Sequence, residues 1–459
     1  MNFIKLYKIP LLLAVLSIAF YISFAYDLER SDFIQLISLY AALFFTTYLF
    51  IEKFKLNFWF LACLGITFRL VFTLAIPNLS QDFYRFLWDG RLLLQGVSPY
   101  LFTPDSKTIV NISVAQFQVL IEGMGPLNAS HFSNYPPVNQ LFFAVAAMFA
   151  GKSILGSVVV LRVLIFLADV GILYFGKKIL GKLNLPVKNI FWFFLNPFII
   201  IELTGNLHFE GVMLFFLVWA LYLLFKGKWV WAAFLIGISI SAKLIPLLFL
   251  PLFLKYFIKK EVSTERVLNG VERFNLTYLL RFYTVIFISA GITFLPFLSF
   301  EFIQHFSATI ALWFQNFEFN ASVYYLIRWV GFQIVGWNVI GTVGKILPVL
   351  VLLFVLGLAF FRKNKTLRQL ITAMLFAVSI YFLLSTTVHP WYVATPLLLS
   401  VFTKYKFPIV WSFMVVLSYS AYGENGFDEK IWLVALEYLV VIGFVIWELY
   451  PFCHKNYFQ

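Results

Sequence analysis

The sequence predicts an all-α, polytopic transmembrane bundle of about twelve spans, with a short helical hairpin and interfacial helices at the outer face. Three observations carry this. The 459 residues are 62% hydrophobic and only 12% charged, against roughly 25% charged in a soluble globular chain. Apolar runs of membrane-crossing length recur along the whole sequence, giving a mean hydropathy of +0.90. Most of the 34 basic residues gather in alternate loops, the asymmetry that orients membrane proteins. A soluble enzyme, a nucleic-acid binder and a disulfide-framework domain are excluded. The net charge of +13 is loop charge rather than a nucleic-acid footprint. Two cysteines, Cys63 and Cys453, make neither a disulfide framework nor a zinc site.

Spans are expected near 10–26, 33–51, 57–77, 153–175, 188–204, 209–225, 281–298, 340–361, 369–387, 391–403, 407–422 and 430–450. The first follows Lys5 and Lys8 and ends at Asp27 and Glu29, not at a small-residue cleavage site, so it is expected to be retained. With both termini in the cytoplasm, Lys53/Lys55, Lys177/Lys178/Lys182/Lys188, Lys226/Lys228, the 255–281 segment, Arg362/Lys363/Lys365/Arg368 and Lys404/Lys406 all fall inside. Asp27, Glu29, Asp32, Glu301, Glu318, Glu424, Asp428 and Glu429 fall outside. Residues 136–151 are too short to span and read as a reentrant or interfacial helix of the large outer loop 78–152. Residues 229–258 are too long for one span and have basic clusters at both ends, which fits a short hairpin with Lys243 near its tip. The chain 1–459 is expected to be one membrane domain. Its 20% aromatic content is mostly lipid-facing packing and interfacial anchoring.

The outer loop opens on a run in which Asp82, Arg85 and Asp89 share one helical face, with Trp88 and Arg91 close to it. An interfacial amphipathic helix with self-paired charges accounts for that pattern as well as a functional site does. Other outer turns are polar too: Glu202, Asn206, His208 and Glu210; Asn316, Glu318 and Asn320; and the run from Thr386 through His389 to Trp391 and Tyr392. Such turns on one face imply a single outward-opening cavity. Arg69, Lys243 and the Arg162/Asp169 pair fall within apolar segments, where ionisable groups are costly. Arg162 and Asp169 lie seven apart on one helix face and suit bonds to a neighbouring span. Lys243 has no acid beside it in sequence, so a lipid phosphate is the expected counter-charge.

The ordered strings DFYRFLWDGRLLLQGVSPY, NYPPVNQLFF, NPFIIIELTGNLHFEG, SAKLIPLLFLP, FNASVYY and HPWY carry a resemblance over roughly residues 78–395. The chain resembles the polyprenyl-phosphate-sugar-dependent membrane glycosyltransferases of the GT-C superfamily, above all bacterial mannosyltransferases of glycosyltransferase family 87. The resemblance implies a GT-C-like helical membrane fold with its active site at the outer face. It also implies a polyprenyl-phosphate sugar donor, a glycan or glycolipid acceptor, and transfer with inversion. An aspartate of the first large outer loop serves as base in such enzymes, and its position here is Asp82. Residues 1–56 add two spans before that loop. Some relatives carry an Asp-x-Asp metal motif, and Ser80 stands at its earlier position, so no metal cofactor is expected although a divalent ion stays open.

The chemistry agrees with these implications. A lipid-phosphate sugar leaves as a phosphate monoester, which needs positioned charge more than a general acid; Arg85, Arg91, Lys243 and His389 are the candidates. The acceptor hydroxyl needs a carboxylate to take its proton; Asp82 comes first, with Glu210 and Asp89 in reserve. Trp88, His208, Asn320, Trp391 and Tyr392 are candidates for sugar or acceptor contacts. A lipid-linked glycan flippase or polymerase is the alternative. A solute transporter ranks third, because no internal repeat is evident.

Overall fold

The computed structural model describes residues 2–54, 56–106, 114–260, 272–274, 276–424 and 426–450. In chain order the helices are α1 (Asn2–Tyr26), α2 (Phe33–Tyr48), α3 (Phe58–Val71), α4 (Asp82–Leu94), α5 (Phe117–Ala129), α6 (Pro137–Ala150) and α7 (Ile154–Lys182). They continue with α8 (Phe191–Phe194), α9 (Pro197–Ile199), α10 (Glu210–Phe225), α11 (Trp229–Ala242), α12 (Leu276–Phe294) and α13 (Phe300–Gln315). The last are α14 (Val323–Val335), α15 (Ile340–Phe361), α16 (Leu367–Leu383), α17 (Ala394–Ser400), α18 (Phe407–Met414) and α19 (Ile431–Leu449). Two short antiparallel ribbons, Ile258–Lys260 with Glu272–Phe274 and Tyr422–Gly423 with Gly426–Phe427, are the sheet among the described residues. The chain is an all-α helical bundle.

Among the described residues, six helical segments are long and apolar enough to cross a membrane: Tyr7–Tyr26, Phe33–Lys53, Ile154–Lys182, Leu276–Phe297, Ile340–Phe361 and Ile431–Leu449. A seventh is added if the pair Val187–Phe194 and Pro197–Gly205, bent by 48°, counts as one. The other five expected spans are shorter helices. Four of them, α10, α16, α17 and α18 with its 3-10 extension to Ala421, adjoin segments that line or back a cavity and stop at its polar turns. Large apolar side chains such as Leu12, Phe287, Leu353 and Leu439 stay exposed on the long helices, a surface suited to lipid.

Local chemistry explains most boundaries. Asp32, Asn57, Ser153 and Ser299 cap α2, α3, α7 and α13, each side chain accepting from the backbone N–H three residues on. Thr366 and Gln369 form a capping box on α16. Helix α6 is short, as expected at 136–151, with Pro137 in its first turn. The 229–258 segment breaks as expected at Lys243, whose backbone is extended (φ −151°, ψ 145°), and returns as a 3-10 helix over Ile245–Phe253. The stretch 299–339, between two expected spans, folds into α13 and α14, neither of them among the helices long and apolar enough to cross a membrane. Glu301, Gln304, His305 and Ser307 dilute the apolar pattern of α13 below what a span shows.

The bent segment is held by buried arginines. Asn196 caps the new turn at Pro197, and the chain then widens into a π-helix over Ile200–Gly205. Such a break frees carbonyls that lipid leaves unsatisfied. Arg162 takes two of them, donating from Nε to Thr204 O (2.8 Å) and from Nη2 to Gly205 O (2.9 Å). Arg69 Nε pairs with Asp169 Oδ2 at 2.8 Å with both side chains fully buried, and Arg69 Nη1 donates to Phe194 O at 2.7 Å. The intramembrane charges at Arg69, Arg162 and Asp169 thus clamp the bent segment in place.

Candidate active site

A cavity of about 770 Å³ opens where the α1–α2 turn, the head of α4, the 124–136 segment, the break after α11 and the 385–392 turn meet. Two of the polar turns read from the sequence reach its lining, at Ser80–Asp82 and at Thr386–Tyr392; the third contributes Phe317, which stands beside Asn316, Glu318 and Asn320. The turn 202–210 lies directly behind the wall.

Asp82 is the first residue of α4, where the helix dipole favours a carboxylate. Ser80 Oγ accepts from its backbone N–H at 3.3 Å, and Asn128 Nδ2 donates to its Oδ1 at 3.3 Å. Burial pushes its pKa above the ordinary 3.8, opposed by the Asn128 bond and by the positive charges of Lys243 and Arg30. A carboxylate of raised basicity facing a cavity suits proton abstraction.

Lys243 lines the cavity and pairs with Glu210, whose side chain is fully buried. This corrects the expectation of a lysine lacking an acid: the partner comes from the head of α10, 33 residues away in sequence. His208, Trp391 and His389 form a continuous stack, with ring centroids 3.6 Å and 4.6 Å apart. Burial and the nearby Lys243 push His208 well below 6.5 and His389 down to about 3. Both imidazoles are therefore neutral near pH 7, and His389 is not the cation expected of it. Tyr392 lies with its ring 5.5 Å from Lys243 Nζ. Behind the stack, Tyr419 donates to Glu202 Oε1 at 2.8 Å.

The remaining expected residues are placed away from the cavity lining. Arg85 Nε pairs with Asp89 Oδ1 at 2.8 Å in the core, and Asp89 Oδ2 also accepts from Ser133 at 2.5 Å and Gln140 at 2.8 Å. Arg85 Nη1 donates to the carbonyls of Asn128 and His131, tying down the segment that carries the Asp82 partner. Arg91 binds the carbonyls of Ala115 and Lys152. Trp88 is buried against Phe117, 5.2 Å between ring centroids. Asn320 is buried between Glu429, which accepts from its backbone N–H at 2.7 Å, and Glu437. Among the described residues Arg85 keeps only Nη2 and Arg91 only Nε without a partner, and neither residue lines the cavity, while Asp89 is saturated.

Cavity residues missed in the sequence include Arg30, Asn128, Tyr135, Tyr419 and Tyr422. Arg30 stood hidden among acids, as the one basic residue between Asp27 and Asp32. Tyr135 lies within the quoted NYPP string. Among the described residues no three His, Cys, Asp or Glu side chains are grouped to hold a metal ion.

The fold and the site define a polytopic helical membrane protein with a largely apolar, aromatic-walled cavity into which a few polar and charged side chains project. Residues 58–259 match the family model described as alpha-(1->6)-mannopyranosyltransferase, N-terminal domain. Alpha-(1->6)-mannopyranosyltransferase A of Mycobacterium tuberculosis is 23% identical over 202 residues, 44% of this chain and 37% of the relative. The chain thus spans little more than a third of that relative's length. Over these residues it is similar to bacterial mannosyltransferases, the likeness its motifs carry. The matched stretch holds Asp82, Asn128, Glu210 and Lys243, whereas Arg30, His389 and Trp391 lie outside it.

Proposed function

We propose that the protein is a membrane glycosyltransferase that moves a sugar, mannose by likeness to its relative, from a polyprenyl-phosphate donor to a glycan or lipid-linked acceptor. The observation that carries this is Asp82, a carboxylate of raised basicity at a helix head, facing a cavity shared with Lys243 and the Trp391 ring, within residues similar to mannosyltransferases. The acceptor oxygen attacks the sugar C1, the C1–O bond to phosphate breaks, and Asp82 takes the hydroxyl proton. Attack opposite the leaving phosphate inverts the anomeric centre. Lys243 supplies positive charge near the departing phosphate, damped by Glu210. Trp391 and Tyr392 offer ring faces to sugar or prenyl chain.

The charge asymmetry of the loops supports a reading in which the cavity opens at the outer face of a bacterial cell membrane and both termini lie in the cytoplasm. The test is purified protein in proteoliposomes with radiolabelled mannosyl-phosphoryl-polyprenol and a mannoside acceptor. The expected result is labelled product with stoichiometric release of polyprenyl phosphate. Translocation or polymerisation of a lipid-linked glycan without donor consumption would instead favour a flippase or polymerase.

A further inference from the structure

Two full cations line the cavity, Arg30 and Lys243, and they differ in what they still have to offer. Lys243 is neutralised by the buried Glu210. Arg30, in the turn between α1 and α2, has no carboxylate within ion-pair reach among the described residues, although Asp27, Glu29 and Asp32 flank it in sequence. Its guanidinium carbon lies 3.1 Å from the centroid of the Tyr422 ring, and its buried Nε has no hydrogen-bond partner among the described residues. An aromatic face steadies a guanidinium and offsets part of its desolvation. It leaves the buried Nε without a partner, and the planar edge of a guanidinium matches phosphate oxygens two at a time. A partly desolvated, unpaired charge at a cavity wall is costly unless an anion completes it.

We propose that Arg30 is the phosphate-binding group of the cavity, gripping a phosphate of the ligand through its guanidinium edge. The ligand chemistry is a phosphate monoester or diester, carried on a lipid or on a nucleotide. The inference rests on the phosphate-linked donor proposed for this cavity. It makes the α1–α2 hairpin, which precedes the residues matched to the mannosyltransferase family, a working part of the site.

The experiment uses the full chain in nanodiscs and measures binding of a polyprenyl phosphate, the uncharged polyprenol and GDP-mannose to the wild type, Arg30→Gln and Arg30→Lys. Arg30→Gln is expected to weaken polyprenyl-phosphate binding roughly 10- to 100-fold, the worth of a hydrogen bond to a charged group. Arg30→Lys falls between, since a point charge lacks the fork. Polyprenol binding is equal in all three, which shows that the variants are folded. If Arg30→Gln loses polyprenol binding as well, Arg30→Lys decides: phosphate affinity equal to wild type overturns the proposal. Wild-type affinity for the phosphate ligands in Arg30→Gln overturns it too, as does a wild type that binds neither phosphate better than polyprenol. Arg30-dependent binding of GDP-mannose alone keeps Arg30 and removes the lipid donor. Mannose transfer that Arg30→Gln leaves unchanged removes Arg30 and keeps the donor.

Discussion

Asp82 and Asp89 sit seven residues apart on one helix and have opposite fates. Asp89 is spent on Arg85, Ser133 and Gln140 in the core, whereas Asp82 accepts from Asn128 and faces the cavity beside Tyr135 and Lys243. Burial raises the Asp82 pKa, so the carboxyl stays protonated to higher pH than an ordinary one. A base must be ionised, and the acid limb of kcat/KM is therefore expected above 3.8 and should vanish in Asp82→Asn. The sign for stability is opposite. The folded protein holds this proton more tightly than the unfolded chain, so the stabilisation is complete below the unfolded pKa and is lost as pH rises through the folded one. Asp82→Asn is accordingly expected to keep or raise the melting temperature at pH 7 while removing activity, measured by thermal unfolding in detergent. Lys243→Met leaves Glu210 buried and unpaired. It is expected to cost about 3–5 kcal/mol, and adding Glu210→Gln should recover part of the loss in a double-mutant cycle.

At the scale of elements, the site depends on how closely α4 meets α6. A Cβ on Gly90 would stand 2.2 Å from Phe143 O, backbone that has no room to yield. Gly90→Ala is expected to cost about 1–3 kcal/mol by overpacking and to lower kcat by shifting the helix that carries Asp82, read by unfolding and transfer assays together. The bent segment after Pro197 makes a parallel demand. Arg69→Met strands Asp169 in the core and should lower the unfolding free energy by about 3–5 kcal/mol. The break at Lys243 and the short helix α6 were legible because length and flanking charge leave few ways to cross a bilayer. The pairing of Arg85 with Asp89 was visible as a spacing, but burial decided between a ligand site and a clamp. Lys243 with Glu210, and Arg69 with Asp169, join distant parts of the chain that no local pattern links.

Across the whole molecule, basic loops, long apolar helices and a cavity at one end form one arrangement. A cysteine placed at Lys363 is expected to react with a membrane-impermeant maleimide only from the cytoplasmic side, and one at Glu424 only from the outside, in a background with Cys63 and Cys453 replaced. Equal labelling from one side would reverse or break the topology. The cavity collects residues from the α1–α2 turn to Phe427, so the similarity to mannosyltransferases over 58–259 covers about half of its lining residues. The central claim is that Asp82 is the base of a sugar transfer in that cavity. The most direct measurement is kcat/KM for mannose transfer from mannosyl-phosphoryl-polyprenol by Asp82→Asn against wild type. A loss of about 100-fold or more with donor binding retained is expected; wild-type turnover in Asp82→Asn would contradict it.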